Sequence, residues 1–187
     1  MFFNTPNVLT WIRILAIPLI VAVFFLLPPG WAGPLAGILF ALAGITDYFD
    51  GYLARRMGQT SRFGAFLDPV ADKLIVATAL VLIVQHDPRV SLTIVAAIII
   101  GREITVSALR EWMSEIGASA KVAVTWFGKW KTTVQIFGIS MMLFESNIGP
   151  IPIYLIGEVL LVIAAALTIV SMLDYLRSAW PAFRHHS

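Results

Sequence analysis

Residues 45–73 read ITDYFDGYLARRMGQTSRFGAFLDPVADK, a stretch that sets Asp47, Asp50, Asp68 and Asp72 beside long apolar runs. These are four of the chain's 11 acidic residues. Ionisable groups at membrane depth are costly and mark function, so this stretch decides both the fold and where its chemistry lies. Asp47 and Asp50 are spaced i, i+3, and Asp68 and Asp72 are spaced i, i+4, so each pair shares one helix face. Gly51 and Ala54 extend the first stripe. A short connection carrying Arg55, Arg56 and Arg62 joins the two helices, so the four carboxylates can converge at shallow depth near one membrane surface. Unpaired, they would repel one another. Divalent cations resolve that repulsion, and an oxygen-only donor set suits Mg²⁺ or Mn²⁺. Salt bridges to Arg55, Arg62 or Lys73 are the plainer explanation, and four acids so arranged make it the weaker one.

Outward from this stretch, the composition is that of a polytopic membrane protein: 187 residues, 59% hydrophobic and 13% charged. The chain reads as one all-α membrane domain over residues 1–187. It has no cysteine, which excludes disulfides and thiol chemistry and leaves the redox compartment open. The net charge of +2 is small, and no nucleic-acid partner is expected. At roughly 20 residues per span, apolar length gives six transmembrane helices near 8–27, 34–54, 67–85, 90–110, 122–144 and 151–176.

The breaks between these helices alternate in charge. Pro28-Pro29-Gly30, His86-Asp87-Pro88 and Asn147 to Pro150 mark one side, where Arg89 is the one firm positive charge. Arg55, Arg56, Arg62, Arg110, Lys121, Arg177 and Arg184 gather on the other. The excess of basic residues puts that side, both termini and the acidic pairs at the cytoplasmic face. The start, NTPNVLTWIRI, has Thr5 as N-cap, Pro6 at the first helical position, and Trp11 and Arg13 as interfacial anchors. Such a segment is expected to begin along the membrane surface, as a juxtamembrane piece, before turning inward.

Small residues Gly33, Gly37, Ala41, Gly44, Gly51 and Ala54 run along the second helix. From Gly33 to Ala41 ordinary close helix packing explains them. Gly51 and Ala54 lie between carboxylates, where room for a ligand is the better reading.

Asp47-x2-Asp50-Gly51-x2-Ala54-Arg55-x8-Gly64-x3-Asp68-x3-Asp72 resembles, at all its fixed positions, the signature of the CDP-alcohol phosphotransferases. That resemblance implies a six-helix membrane enzyme, usually a homodimer, that moves a phosphatidyl or related group from a CDP-linked donor to an alcohol and releases CMP. It also implies that the motif binds the CDP moiety and two divalent metals, with its last aspartate, here Asp72, as base. The stretches NTPNVLTWIRILAIP, SRFGAFLDPVADKL, GREITVSALREWM and GKWKTTVQ are similar to those of the bacterial phosphatidylglycerophosphate synthase branch. For that branch the reaction joins CDP-diacylglycerol and glycerol 3-phosphate in the inner membrane. Acceptors such as inositol phosphate, inositol or serine stay open, because the signature reads only the shared donor.

On this reading Asp47, Asp50, Asp68 and Asp72 hold the metals. Arg55 meets a donor phosphate, and Gly51, Ala54 and Gly64 leave room for cytidine. Asp72, at the end of the array, takes the acceptor's proton. A phosphorylated acceptor needs cations of its own, for which Arg110, Lys131, Arg102 and Lys129 are candidates, with Thr60 as a hydrogen-bond donor. Each also has an ordinary reading: snorkelling anchors for the bases, an Arg102–Glu103 ion pair, Glu103 orienting Arg110, and a turn-forming Thr60. A cation transporter would spread acids through the membrane depth and break its helices near the midplane. Here the acids sit at one face.

Overall fold

Six apolar runs become six helices because a chain without water must satisfy its backbone hydrogen bonds internally. In the computed structural model the backbone is described at residues 5–57, 62–116 and 126–186, and side chains at 10–46, 67–116 and 131–177. The helices are α1 (Thr5–Leu26), α2 (Pro29–Met57), α3 (Arg62–His86), α4 (Val90–Glu115), α5 (Trp126–Phe144) and α6 (Ile153–His186). Each expected span falls on one helix, apart from residues 122–125, which lie outside the described residues. α1 is continuous from Thr5 to Leu26.

Among the described residues, Pro29–Thr46, Val90–Glu115 and Ile153–Arg177 are long and apolar enough to cross a membrane, and Thr10–Leu26 is a shorter apolar helix. The outer surface agrees: Leu15, Leu26, Trp31, Val81, Val90 and Ile104 are exposed. Water would not tolerate that much apolar surface, whereas lipid does.

The helices close a ring in the order α1, α2, α5, α6, α4, α3 and back to α1, with α3 also reaching across to α5. Its centre is filled by Phe40 and Ala36 of α2, Leu80 and Ala79 of α3, Ile99 of α4, Ile139 and Leu143 of α5, and Leu161 of α6. α2 and α5 approach through glycine, as expected for Gly33 and Gly37. A Cβ on Gly37 would stand 2.7 Å from the Ser140 carbonyl oxygen and 2.8 Å from the Phe144 nitrogen. Backbone atoms there cannot yield, so only glycine permits the contact.

At the end of the ring carrying the α1–α2, α3–α4 and α5–α6 turns, polar groups hold the loops together. Arg89 bonds Asp87 at 2.7 Å and Glu158 at 2.8 Å, and Tyr154 donates to Asp87 at 2.8 Å. The hydrogen bond from Arg89 holds the Asp87 carboxyl below its ordinary value. His86 Nδ1 lies 3.4 Å from Glu145, whose own carboxyl is pushed up by burial. Glu158 of α6 thus pairs with a basic group of the α3–α4 turn. Near the end of α1, Phe25 faces outward, whereas Phe24 packs on the core and stands edge-on to His86.

Candidate active site

α3 brings Asp68 and Asp72 to one face on successive turns, and α1 docks beside them. Thr10, 1% exposed, donates through Oγ1 to Asp68 Oδ1. Arg13, 3% exposed, pairs through Nη1 with Asp72 Oδ1. The Asp72 side chain is 42% exposed, so Arg13 holds it without burying it. Arg13 is therefore not the interfacial anchor its place near a helix start suggests; it is buried against a carboxylate. Trp11, 45% exposed, keeps the anchor's position.

Asp47, Asp50, Gly51, Ala54 and Arg55 belong to the last turns of α2, and Gly64 to the first turn of α3. Their side chains, and Thr60 altogether, lie outside the described residues, as does the meeting of the two acidic pairs. The two described acids fit a divalent cation by donor chemistry: both offer hard oxygen, both are part-exposed, and they sit one turn apart.

One residue past Asp72, Lys73 turns to α4 and donates to Ser107 Oγ. That contact ties the acidic face to a basic cluster built from α4, α5 and α6. Glu103 Oε1 receives Lys131 Nζ at 3.5 Å and Arg102 Nη1 at 3.7 Å. Arg102 Nη2 donates to Ser171 Oγ at 3.1 Å, and Ser171 in turn donates to the Thr168 carbonyl at 3.0 Å. Arg110 Nη2 donates to the Tyr175 hydroxyl at 2.6 Å. Both guanidinium carbons also lie near the Tyr175 ring, at 5.9 Å for Arg102 and 5.1 Å for Arg110.

The Arg102–Glu103 pair is as expected, but the carboxylate does not serve Arg110; its partners are Lys131 and Arg102, while Tyr175 holds Arg110. Lys131 is buried, Arg102 nearly so, and Arg110 exposed. Among the described residues, these three cations face one carboxylate, a surplus of two positive charges, and Arg102 Nε and Gln135 Oε1 are buried without a hydrogen bond. A phosphate dianion suits such a surplus. Lys129 lies in the first turns of α5, its side chain outside the described residues.

Sequence reading missed Thr10, Arg13, Ser171 and Tyr175. A signal was present for the first two: polar residues three apart in an otherwise apolar helix share a face and need partners.

A face of acidic oxygen donors next to a phosphate-sized cluster of cations, set in a ring of membrane helices, is the equipment of a phosphoryl-group transferase. The chain belongs to the CDP-alcohol phosphatidyltransferase family, whose model matches residues 3–170. It is 49% identical over 179 residues, 96% of each chain, to the CDP-diacylglycerol–glycerol-3-phosphate 3-phosphatidyltransferase of Salmonella choleraesuis (strain SC-B67). Proteins of the same description from Shigella flexneri serotype 5b and Escherichia coli (strain K12) match at the same identity and coverage.

Proposed function

We propose that this chain transfers the phosphatidyl group of CDP-diacylglycerol to glycerol 3-phosphate, giving phosphatidylglycerol phosphate and CMP. The observation that carries the reading is the juxtaposition made by Lys73 and Ser107: a part-exposed carboxylate at Asp72 and a net-cationic cluster at Arg102, Arg110 and Lys131 on facing helices. The printed descriptions of the relatives name the same two substrates.

The donor lies along α2 and α3, with Arg55 at its phosphates and Gly51, Ala54 and Gly64 beside the cytidine. Asp47, Asp50, Asp68 and Asp72 would hold two divalent cations, Mg²⁺ or Mn²⁺, which would supply charge neutralisation for the diphosphate and the departing CMP. The acceptor's phosphate rests among Arg110, Lys131 and Arg102, with Lys129 and Thr60 at its edge. Held there, its primary hydroxyl, the less hindered of its two, is directed towards α3. Asp72 takes the hydroxyl proton as the oxygen attacks the diacylglycerol-side phosphorus. The bond from that phosphorus to the CMP oxygen breaks, and CMP leaves with the electron pair. Fixing both reactants on packed helices removes the entropy of bringing them together.

On the same reading the six helices form one membrane unit, all six spanning the bacterial inner membrane. Both termini and the site face the cytoplasm, and the enzyme works as a homodimer among membrane lipids. The direct test gives the purified protein CDP-diacylglycerol with glycerol 3-phosphate, inositol phosphate, inositol or serine, and identifies the lipid and CMP formed. Turnover with an acceptor other than glycerol 3-phosphate would reassign the acceptor and keep the donor. No CMP with any acceptor would end the proposal. Equal positions for a reporter fused to either terminus, both outside the cytoplasm, would invert the topology.

A further inference from the structure

Thr10 and Arg13 are the polar side chains that α1 buries among the described residues. A buried arginine is tolerated at membrane depth only when its charge is met. Here it is met by Asp72, the carboxylate to which the reaction assigns the proton, while Thr10 meets Asp68 one turn earlier. Two residues spaced i, i+3 on α1 thus engage two spaced i, i+4 on α3. A slip of either helix would break both contacts at once.

We propose that Arg13, backed by Thr10, is a positioning residue for this reaction: its ion pair fixes the orientation of the Asp72 carboxylate relative to the acceptor hydroxyl. This rests on the reading of Asp72 as the base. A guanidinium offers donors and no acceptor, so Arg13 cannot take the proton itself and acts only through Asp72. A base works only within hydrogen-bond reach of its proton. An aspartate that is 42% exposed would turn freely if nothing held it. Docking of α1 does not depend on the ion pair alone, since Ile20 is buried in the core and Ala16 and Ile17 pack against it. Positioning and mere tethering of α1 can therefore be told apart.

The experiment uses the full chain in detergent with saturating Mg²⁺, comparing wild type, Arg13→Gln, Arg13→Lys, Thr10→Val and Asp72→Asn. Initial rates are measured with CDP-diacylglycerol and glycerol 3-phosphate varied in turn, alongside thermal unfolding of each protein. Misplacing a reacting group by about 1 Å costs about 10²-fold. Arg13→Gln is therefore expected to lower kcat by about that factor, with both KM values within about threefold of wild type. Arg13→Lys, which keeps the charge and loses the planar fork, should recover part of the loss. Thr10→Val, nearly the same shape, should lower kcat by a smaller factor without changing Tm.

Wild-type kcat in Arg13→Gln, beside an inactive Asp72→Asn, would overturn the proposal and leave the base in place. Wild-type kcat in Asp72→Asn would remove the base and the proposal with it. If Arg13→Gln does not fold, Arg13→Lys and Thr10→Val decide. Losses in kcat that simply follow falling Tm would make the contact a tether and refute positioning.

Discussion

Removing one cation at a time from the cluster on α4–α6 tests the acceptor site most directly. A hydrogen bond between charged groups contributes about 1.5–3 kcal/mol. At about 1.36 kcal/mol per decade, losing one lowers kcat/KM for glycerol 3-phosphate by about 10- to 150-fold. Burial decides where each residue falls in that range. Arg110 is exposed and leans on the Tyr175 hydroxyl; solvent screens it, so Arg110→Ala should cost about tenfold. Lys131 is 2% exposed, and Lys131→Met should cost about a hundredfold. The second change also removes the nearer partner of Glu103, leaving Arg102 at 3.7 Å, and so should lower thermal stability, which Arg110→Ala should not. Arg110→Lys should rescue only in part, since the ammonium lacks the bidentate fork. In initial-rate kinetics with each substrate varied, the loss should appear in the acceptor KM, with the KM for CDP-diacylglycerol nearly constant. Unchanged acceptor kinetics in both Arg110→Ala and Lys131→Met would refute the cationic pocket and reopen the choice of an unphosphorylated alcohol.

Chelation of divalent ions should abolish turnover, and Asp68→Asn or Asp47→Asn should do the same with the unfolding temperature kept; full activity in chelator would dispose of the metal account. Gly37→Val should cost about 1–3 kcal/mol through overpacking against the α5 backbone, read as a lower unfolding temperature in detergent. Gly101→Val, where a Cβ meets nothing within 4 Å, is the control. The Asp87 carboxyl titrates below its ordinary 3.8 in the folded protein because Arg89 bonds it. The unfolded chain thus takes up the proton first, and the stability from this contact, complete above 3.8, falls away as pH drops towards the folded value. Wild type should be more stable than Asp87→Asn above that range, and the difference should shrink as pH falls through it; a difference that does not change with pH would refute the linkage.

The helices were legible because a membrane leaves the chain few options. Apolar length gave the six runs, and the prolines and glycines near 28–30, 86–88 and 147–150 gave the turns. The role of Gly33 and Gly37 was also legible, because small residues at helical spacing in an apolar segment have a packing use. What sequence could not supply was pairing between helices far apart in the chain. Arg13 looks like an anchor until α1 is placed against α3, 59 residues further on. Glu103 looks like a partner for Arg110 on its own helix until α5 presents Lys131 and α6 presents Tyr175. The ring order that makes these contacts is a property of tertiary packing and leaves no periodicity to read.

That ring order separates the two halves of the chemistry. Thr10, Arg13, Asp68 and Asp72 stand on α1 and α3, while Arg102, Arg110, Lys131, Ser171 and Tyr175 stand on α4–α6, and the halves meet along α3–α4, α3–α5 and α2–α5. On the proposed reading, the bond that forms crosses a packing seam rather than lying within one rigid element. A small shear of one half against the other alters the gap between hydroxyl and phosphorus directly, with every ligand contact on either side intact. Bilayer thickness acts on such a seam, because helices accommodate mismatch by tilting. If the reaction spans that seam, the thickness of the surrounding lipid is expected to be a mechanical input to its rate.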